Sequence, residues 1–321
     1  MRVLVTGGAG FIGSHLVQRL LDREDQVHVV DDFNDFYEPQ RKWDNLAEVR
    51  DRPGFSLHQG DIRDADFIEG VFAQARPEIV AHAAARAGVR PSLLQADLYT
   101  DVNVRGTGVL LEAAHRWSVQ HFVFLSSSSV YGNDSAAPFR EDAAADRLAS
   151  PYGATKRMGE LLAHVYHDLY GLPVTALRLF TVYGPRCRPD LAVHKFSRLI
   201  VEGAPLPVYG DGSALRDFTY VDDIVEGIVR AMDRPQGFEI INLGCHRPVR
   251  VLELISMLEE RLGTPAQRDF QPPQAGDVTM TWADVTKAQR LLGWRPTTPL
   301  ELGLDRWCEW FLSQRSLEVK R

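Results

Sequence analysis

A short apolar strand that runs straight into a glycine-rich turn and then a helix is the feature that most restricts the fold of this chain. Arg2-Val-Leu-Val-Thr6 reads as a fully buried strand. Gly7-Gly8-Ala9-Gly10-Phe11-Ile12-Gly13 follows at once, and a helical stretch extends from Ser14 to about Asp22. Strand, turn and helix in that order are the setting of a dinucleotide fingerprint. Gly7 and Gly10 let the backbone turn tightly and approach a pyrophosphate, while Gly13 lets the helix lie close to the strand. The helix N-terminus then faces the phosphate charge. These glycines, with Phe11 and Ile12, are candidate cofactor contacts.

The next strand, Gln26 to Val30, ends in Asp31-Asp32, and Asp31 lies 18 residues after Gly13. That is where an acid meets the adenosine ribose. A carboxylate there accepts from the ribose hydroxyls and repels a 2′-phosphate, so NAD is favoured over NADP. Arg41-Lys42 argue the other way and are outweighed by Asp31; Asn34 joins the candidate cofactor residues. A flexible glycine loop beside a surface acid pair is the plain alternative, and the register of strand, helix and acid opposes it.

The second strong signal is Tyr152-Gly-Ala-Thr-Lys156, downstream of a serine run from Ser126 to Ser129. Residues four apart share a helix face, so the Lys156 ammonium can sit near the Tyr152 phenol. A neighbouring positive charge favours phenolate and lowers a tyrosine towards the range of a general base. The pattern arises in helices by chance and gains its weight here from the glycine turn upstream.

Between and beyond these motifs, strands and helices alternate. Short strands are expected at His58 to Asp61, Glu78 to Ala81, Phe122 to Leu125 and Val174 to Leu179, with a long helix from Leu94 to Trp117 and another from Tyr152 to Tyr170. Such alternation means an α/β fold with a doubly wound parallel sheet. Beyond Gly184 the rhythm breaks into prolines, short strands and glycine turns. The expected organisation is a nucleotide-binding domain over 1–183, with a returning segment near 219–245 that includes a buried strand at Phe238 to Leu243. A smaller, interleaved substrate domain spans 184–321.

At 321 residues and 45% apolar content the chain can bury a large core. A net charge of −7 and the lack of a long basic run argue against nucleic acid or an anionic membrane as partner. Cys187, Cys245 and Cys308 lack metal-ligand spacing and read as reduced thiols of a cytoplasmic protein; no metal is expected. No signal peptide fits, because the first apolar segment is the glycine-turn strand itself.

Together these residues resemble the extended short-chain dehydrogenase/reductase superfamily, and within it the nucleotide-sugar 4-epimerases. The resemblance covers nearly the whole chain: Thr6 to Gly13, Asp61-Ile62, Asn103 in Asn-Val-Arg-Gly-Thr, Ser126 to Gly132, Tyr152 to Lys156, and Arg216-Asp-Phe-Thr-Tyr-Val-Asp222. The 25 residues between Ser127 and Tyr152 match the family's interval. The resemblance implies that Tyr152 is the base, that Lys156 tunes it and holds the nicotinamide ribose, and that Ser127 bonds the reacting hydroxyl. Asp61 and Ile62 would frame the adenine. Asn103 would either fix the cofactor or serve as a polar residue inside a helix. It further implies NAD, a homodimer, and passage through a 4-keto sugar whose hydride is taken from C4 and returned to the opposite face.

Three details bear on the sugar. Ser128-Ser129 stand where related dehydratases and decarboxylases carry an acid. Phe180-Thr-Val-Tyr-Gly-Pro185 with Arg188-Pro-Asp is similar to UDP-glucuronate 4-epimerases, whereas UDP-galactose 4-epimerases tend to have Asn in place of Thr181. His82 to Arg90 and Gln274-Ala-Gly-Asp277 resemble the same subgroup. Arg186-Cys187 departs from its usual Trp-Gly, and the added charge either assists a carboxylate or faces water. A 4-keto uronic acid is a β-keto acid that loses CO2 when its carboxylate aligns with the carbonyl. Ser128, Ser129, Thr181 and Arg188 are candidates for a clamp that prevents this.

At the nucleotide end, Arg216 resembles the family's diphosphate ligand, against a plain alternative of a salt bridge to Asp217. Asp277 resembles the acceptor of the uridine ribose. Gln274 replaces an arginine of UDP-galactose epimerases, and Lys195 is a candidate substitute. His194 either lines the uridine site or is exposed. The favoured substrate is UDP-glucuronate. UDP-glucose, UDP-N-acetylglucosamine, a decarboxylase and a non-catalytic dinucleotide sensor remain as alternatives.

Overall fold

The computed structural model describes residues 1–318 apart from 134, 135, 144, 146 and 275, so Ala275 of the Gln274–Asp277 segment lies outside the described residues. Seven strands form one sheet in the order Phe238–Leu243, Val174–Leu179, His121–Ser127, Ile79–His82, Arg2–Thr6, Gln26–Asp31, Phe55–Gln59. Every pairing is parallel. Helices cover both faces of such a sheet, which is why its strands read as continuous apolar runs rather than alternating ones. Val3, Leu4 and Val5 are all fully buried, and Leu16, Val17 and Leu20 of the helix Phe11–Asp22 pack on one face. Phe72, Leu110 and Leu111 cover the other.

The chain winds outward through its first three strands, then returns to lay Ile79–His82 on the other side of Arg2–Thr6. The crevice at their C-terminal ends is the switch point where ligands of open α/β sheets bind. His82 ends its strand fully buried, its ring bridging Thr6 Oγ1 at 2.7 Å and Thr107 Oγ1 at 2.9 Å. Burial, aided by the Lys156 charge, pushes His82 down to about 3, so it packs as a neutral ring.

Two elements differ from expectation. The third strand is Phe55–Gln59 rather than His58 to Asp61. Asp61 accepts from its own Arg63 N–H at 2.9 Å, a turn that ends the strand and leaves the carboxylate beyond it. The single helix expected from Leu94 to Trp117 is a composite. Val89–Leu94 stops at Gln95 (φ −134°, ψ 41°), and a second run begins at Ala96–Thr100, widens into a π turn at Asp101–Arg105 and continues through Gly106–Arg116. Hydrophobic periodicity does not register a one-residue π insertion, and such bulges gather at functional sites.

Beyond Val174–Leu179, Leu215–Tyr220 pairs in parallel with Thr181–Tyr183 and antiparallel with Pro248–Arg250. Pro205–Tyr209 pairs with Gln267–Gln271. Trp294 and Trp307 anchor this part of the core, and Trp307 Nε1 donates to Ser197 Oγ at 2.8 Å. Among the described residues no helix is long and apolar enough to cross a membrane, and no group of three or more His, Cys, Asp or Glu is arranged to hold a metal ion.

Candidate active site

A cleft of about 400 Å³ opens along the switch point. At one end, Gly7 adopts φ +70°, and a Cβ there would lie 2.7 Å from Ala84 N. A Cβ on Gly13 would collide with Gly7 O. The turn is therefore a cradle that only glycine can form. Gly10 caps the helix without a side-chain acceptor, and no acid lies in the first turn. The open N–H groups of Phe11, Ile12 and Gly13 thus face the cleft with the positive end of the helix dipole, which suits a pyrophosphate.

Asp31 and Asp32 stand beside this turn. Asp31 is buried and accepts from Ala9 N at 3.1 Å and Phe33 N at 2.9 Å, so it braces the glycine loop as well as facing the cleft. Burial raises its carboxyl above the ordinary range, and Lys42 opposes the rise. Lys42 Nζ lies 3.7 Å from Asp31 Oδ1 and 3.9 Å from Asp32 Oδ1. With both acids ionised the trio carries one net negative charge, which still disfavours a 2′-phosphate. Asn34 is bound to Asp32 through Nδ2 at 2.6 Å. Asp61 and Ile62 line the same end, and the Arg63 guanidinium holds the Asp61 carboxyl below its usual value. These residues fit an adenine dinucleotide.

The other end of the cleft is built where the helix Pro151–Tyr170 meets the strand His121–Ser127. Ser150 caps the helix by accepting from Gly153 N at 3.1 Å, and Pro151 occupies its first position. Gly153 is required by proximity: a Cβ there would lie 2.6 Å from Ser129 O. The Ser127 and Ser129 hydroxyls are 3.2 Å apart, and both line the cleft with Tyr152. Burial raises the Tyr152 phenol, while Ser127 and the Arg188 charge pull it back.

Lys156 departs from the expected pairing with that phenol. Its Nζ donates to Leu125 O at 2.7 Å and lies 4.9 Å from the Phe124 ring centre. Burial pushes it down to about 8, with the Glu160 charge opposing. Residues four apart share a face, but the nearest acceptor, a strand-end carbonyl, takes the ammonium.

Ser128, Thr181 and Arg188 complete the cleft with Ser129. Arg188 grips Asp190 through Nε and Nη2, both at 2.9 Å, and its guanidinium lies 5.6 Å from the Phe36 ring centre. Arg186 neither reaches the cleft lining nor faces water freely. It turns to the first helix, donating to Gln18 Oε1 at 3.1 Å, while Pro185 O meets His15 Nε2 at 2.9 Å.

Three expected site residues lie outside the cleft lining. Asn103 Nδ2 donates to Arg86 O at 2.9 Å and Thr155 Oγ1 at 3.0 Å, and its Oδ1 accepts from Arg86 N at 2.7 Å. It ties the loop after Ile79–His82 to the Tyr152 helix. Asp277 is paired with Arg90 at 2.8 Å, and Arg90 lies 4.3 Å from the Tyr209 ring centre. Arg216 donates to Leu215 O at 2.9 Å, and burial lowers it against the pull of Asp277. Strand alternation sends Asp217 the other way, where it accepts from Cys245, His246 and Ala283 N–H groups, so an Arg216–Asp217 bridge does not form. His194 is neither exposed nor at the cleft; it is buried 5.4 Å from the Trp307 ring centre.

Arg90, Lys42, Gly153 and Asp190 were missed from the sequence as working residues. Gly153 lies inside the tyrosine motif, Asp190 inside Arg188-Pro-Asp and Arg90 at the end of the His82 to Arg90 segment, but none of these patterns names the contact each residue makes.

The NAD dependent epimerase/dehydratase family matches residues 3–244. A UDP-glucuronate 4-epimerase of Thermodesulfobacterium geofontis is 41% identical over 98% of this chain and 97% of its own length. The Bacillus cereus UDP-glucuronic acid 4-epimerase, solved with UDP-glucuronic acid and NAD, superposes with a TM-score of 0.93 at 38% identity, covering 98% of this chain and all of that one. The Thermotoga maritima UDP-glucose 4-epimerase, solved with UDP-glucose, gives 0.91 at 34% identity over 98% of this chain and 100% of its own.

Proposed function

This chain belongs to the NAD dependent epimerase/dehydratase family, and from that premise we propose that it interconverts UDP-glucuronate and UDP-galacturonate at C4 of the sugar. The observation that carries the reading is convergence. One cleft joins the glycine cradle and Asp31 to Tyr152, Ser127 and Lys156, with the Arg188 cation beside the phenol. The relatives that bind or act on UDP-glucuronate support the choice of sugar.

Gly7, Gly10, Phe11, Ile12, Gly13, Asp31, Asp32, Asn34, Asp61 and Ile62 would hold NAD, which when bound supplies a hydride acceptor and donor at C4. Tyr152 accepts the proton of the C4 hydroxyl and later returns one. Its phenolate is stabilised against burial by the Ser127 hydroxyl and the Arg188 charge. Ser127 also steadies the C4 oxygen. Ser128, Ser129, Thr181 and Arg188 grip the C5 carboxylate and keep its C–CO2 bond out of line with the C4 carbonyl. Asp277 and Arg216 receive the uridine ribose and the diphosphate. In this reading the nucleotide-binding domain is 1–183 with the return near 219–245, and 184–321 serves the sugar nucleotide.

An apolar stripe on the helix Pro151–Tyr170, Met158, Leu161, Val165 and Leu169, is exposed at helical spacing and supports a homodimer through that face. Three unpaired cysteines support a cytoplasmic location.

The test is a proton NMR time course with UDP-glucuronate, without and then with added NAD. A new UDP-galacturonate anomeric signal and no pentose is expected. A UDP-pentose would mean a decarboxylase. Silence followed by turnover of UDP-glucose or UDP-N-acetylglucosamine would replace the substrate, and silence on all three would leave a dinucleotide sensor. In the same assay Arg188→Ala should lose UDP-glucuronate turnover or release CO2; unchanged kinetics without CO2 would remove Arg188 from the site.

A further inference from the structure

The Tyr152 helix meets the catalytic strand end through three rungs, one helical turn apart. Tyr152 stands with Ser127 in the cleft lining, Lys156 Nζ donates to Leu125 O, and Glu160 Oε1 accepts from Ser126 Oγ at 2.7 Å. Residues at this spacing share one face, so three successive turns all address the same strand end, residues 125–127.

Glu160 is the unusual member. It is fully buried, and charged groups are almost never so unless paired. Arg178, itself 1% exposed, clamps it from the next strand with Nε and Nη2, each at 2.8 Å. Arg178 is the register partner of Ser126, so two adjacent strands hold the same carboxylate. The Arg178 guanidinium lies 4.7 Å from the Tyr131 ring centre, and Tyr131 Oη donates to Asn242 Oδ1 at 2.7 Å. Asn242 Nδ2 in turn donates to Phe139 O at 2.8 Å.

We infer that Glu160 is a positioning residue for the reacting pair, fixing the Leu125–Ser127 strand end against Lys156 and supplying the negative charge that faces the ammonium. This deepens the proposed reaction and rests on it for its kinetic arm. The charged or titratable groups around Lys156 are Tyr152 and Glu160 on its own helix and His82 on the neighbouring strand. Around Glu160 they are Arg157 and Arg178. His82 is neutral over the working range, which leaves Glu160 as the group that holds Lys156 up against burial. Removing the charge therefore moves the Lys156 titration to lower pH.

The experiment has one arm that needs no substrate. The chain has five lysines, Lys42, Lys156, Lys195, Lys287 and Lys320, so 13Cε-lysine NMR of the ligand-free protein resolves them, with Lys156→Met giving the assignment. Glu160→Gln should lower the Lys156 midpoint, and Glu160→Asp should restore it in part. A midpoint unmoved in folded Glu160→Gln overturns the inference. In the kinetic arm, Glu160→Gln should lower kcat with KM little changed and bring the alkaline limb of kcat to lower pH. A loss that tracks only the unfolded fraction, with the limb in place, overturns it too. If Glu160→Gln does not fold, Ser126→Ala removes one rung alone: a several-fold fall in kcat supports the inference, and native kcat and KM overturn it. A native protein inert towards UDP-glucuronate defeats the substrate reading while leaving the NMR arm decisive.

Discussion

The two ends of the sugar-nucleotide path are built differently. The reacting end is a helix face locked onto a strand end, with Lys156 and Ser127 buried and Tyr152, Lys156 and Ser127 all carried by regular structure. The proposed uridine end is a meeting of separate segments: Arg90 from a short helix, Tyr209 from a strand end, Arg216 from another strand and Asp277 from a loop. Its ion pair is partly exposed, with Arg90 at 43% and Asp277 at 30%. A rigid end suits chemistry, where small displacements are costly. An end whose arginine and acid satisfy each other can exchange that contact for a diphosphate and a ribose as the ligand enters.

The contrast is sharpened first by Tyr152→Phe. It should cost about 10³-fold in kcat while leaving the affinity for UDP within a few fold, measured by steady-state kinetics and calorimetry. Retained turnover would mean that another group moves the proton. Next comes Gly153→Ala, whose Cβ must push the helix away from Ser129 O. A displacement of that kind should cost roughly 10²-fold in kcat, with NAD affinity kept because the glycine cradle is untouched. Equal loss of NAD binding would show that the two halves of the cleft move as one. Smallest is Asp277→Ala, for which KM should rise about 10-fold with kcat nearly constant, since a contact equally strong in ground and transition states changes only binding. A fall in kcat to match would erase the distinction between the two ends.

The same distinction governs what the sequence made legible. The cradle Gly7 to Gly13, Asp31 and the Tyr152 helix are local patterns, in which a few consecutive residues determine both backbone and function. The parallel, doubly wound sheet followed from the alternation of strands and helices. The partner of Asp277 did not, because Arg90 and Asp277 are 187 residues apart and meet only through the fold. Lys195 does not line the cleft. The direction of the Lys156 ammonium was missed for a related reason. Helical spacing says which residues share a face, but a strand from elsewhere in the chain supplies the carbonyl that wins. The π turn at Asn103 is a single-residue change in helical phase, below what apolar spacing resolves.

The last strand of the sheet, Phe238–Leu243, is added to Val174–Leu179 only after residues 184–237 have been made. Until then Val174–Leu179 is an open edge, with unpaired amides and an apolar flank that invite pairing with other chains. The two parts of the molecule therefore share one folding event, and unfolding should proceed in a single cooperative transition rather than in two. A shortened chain ending near Tyr183 would carry every residue of the glycine cradle and of the tyrosine helix. It would still expose that edge, and aggregation rather than a free-standing nucleotide-binding fragment is its expected fate.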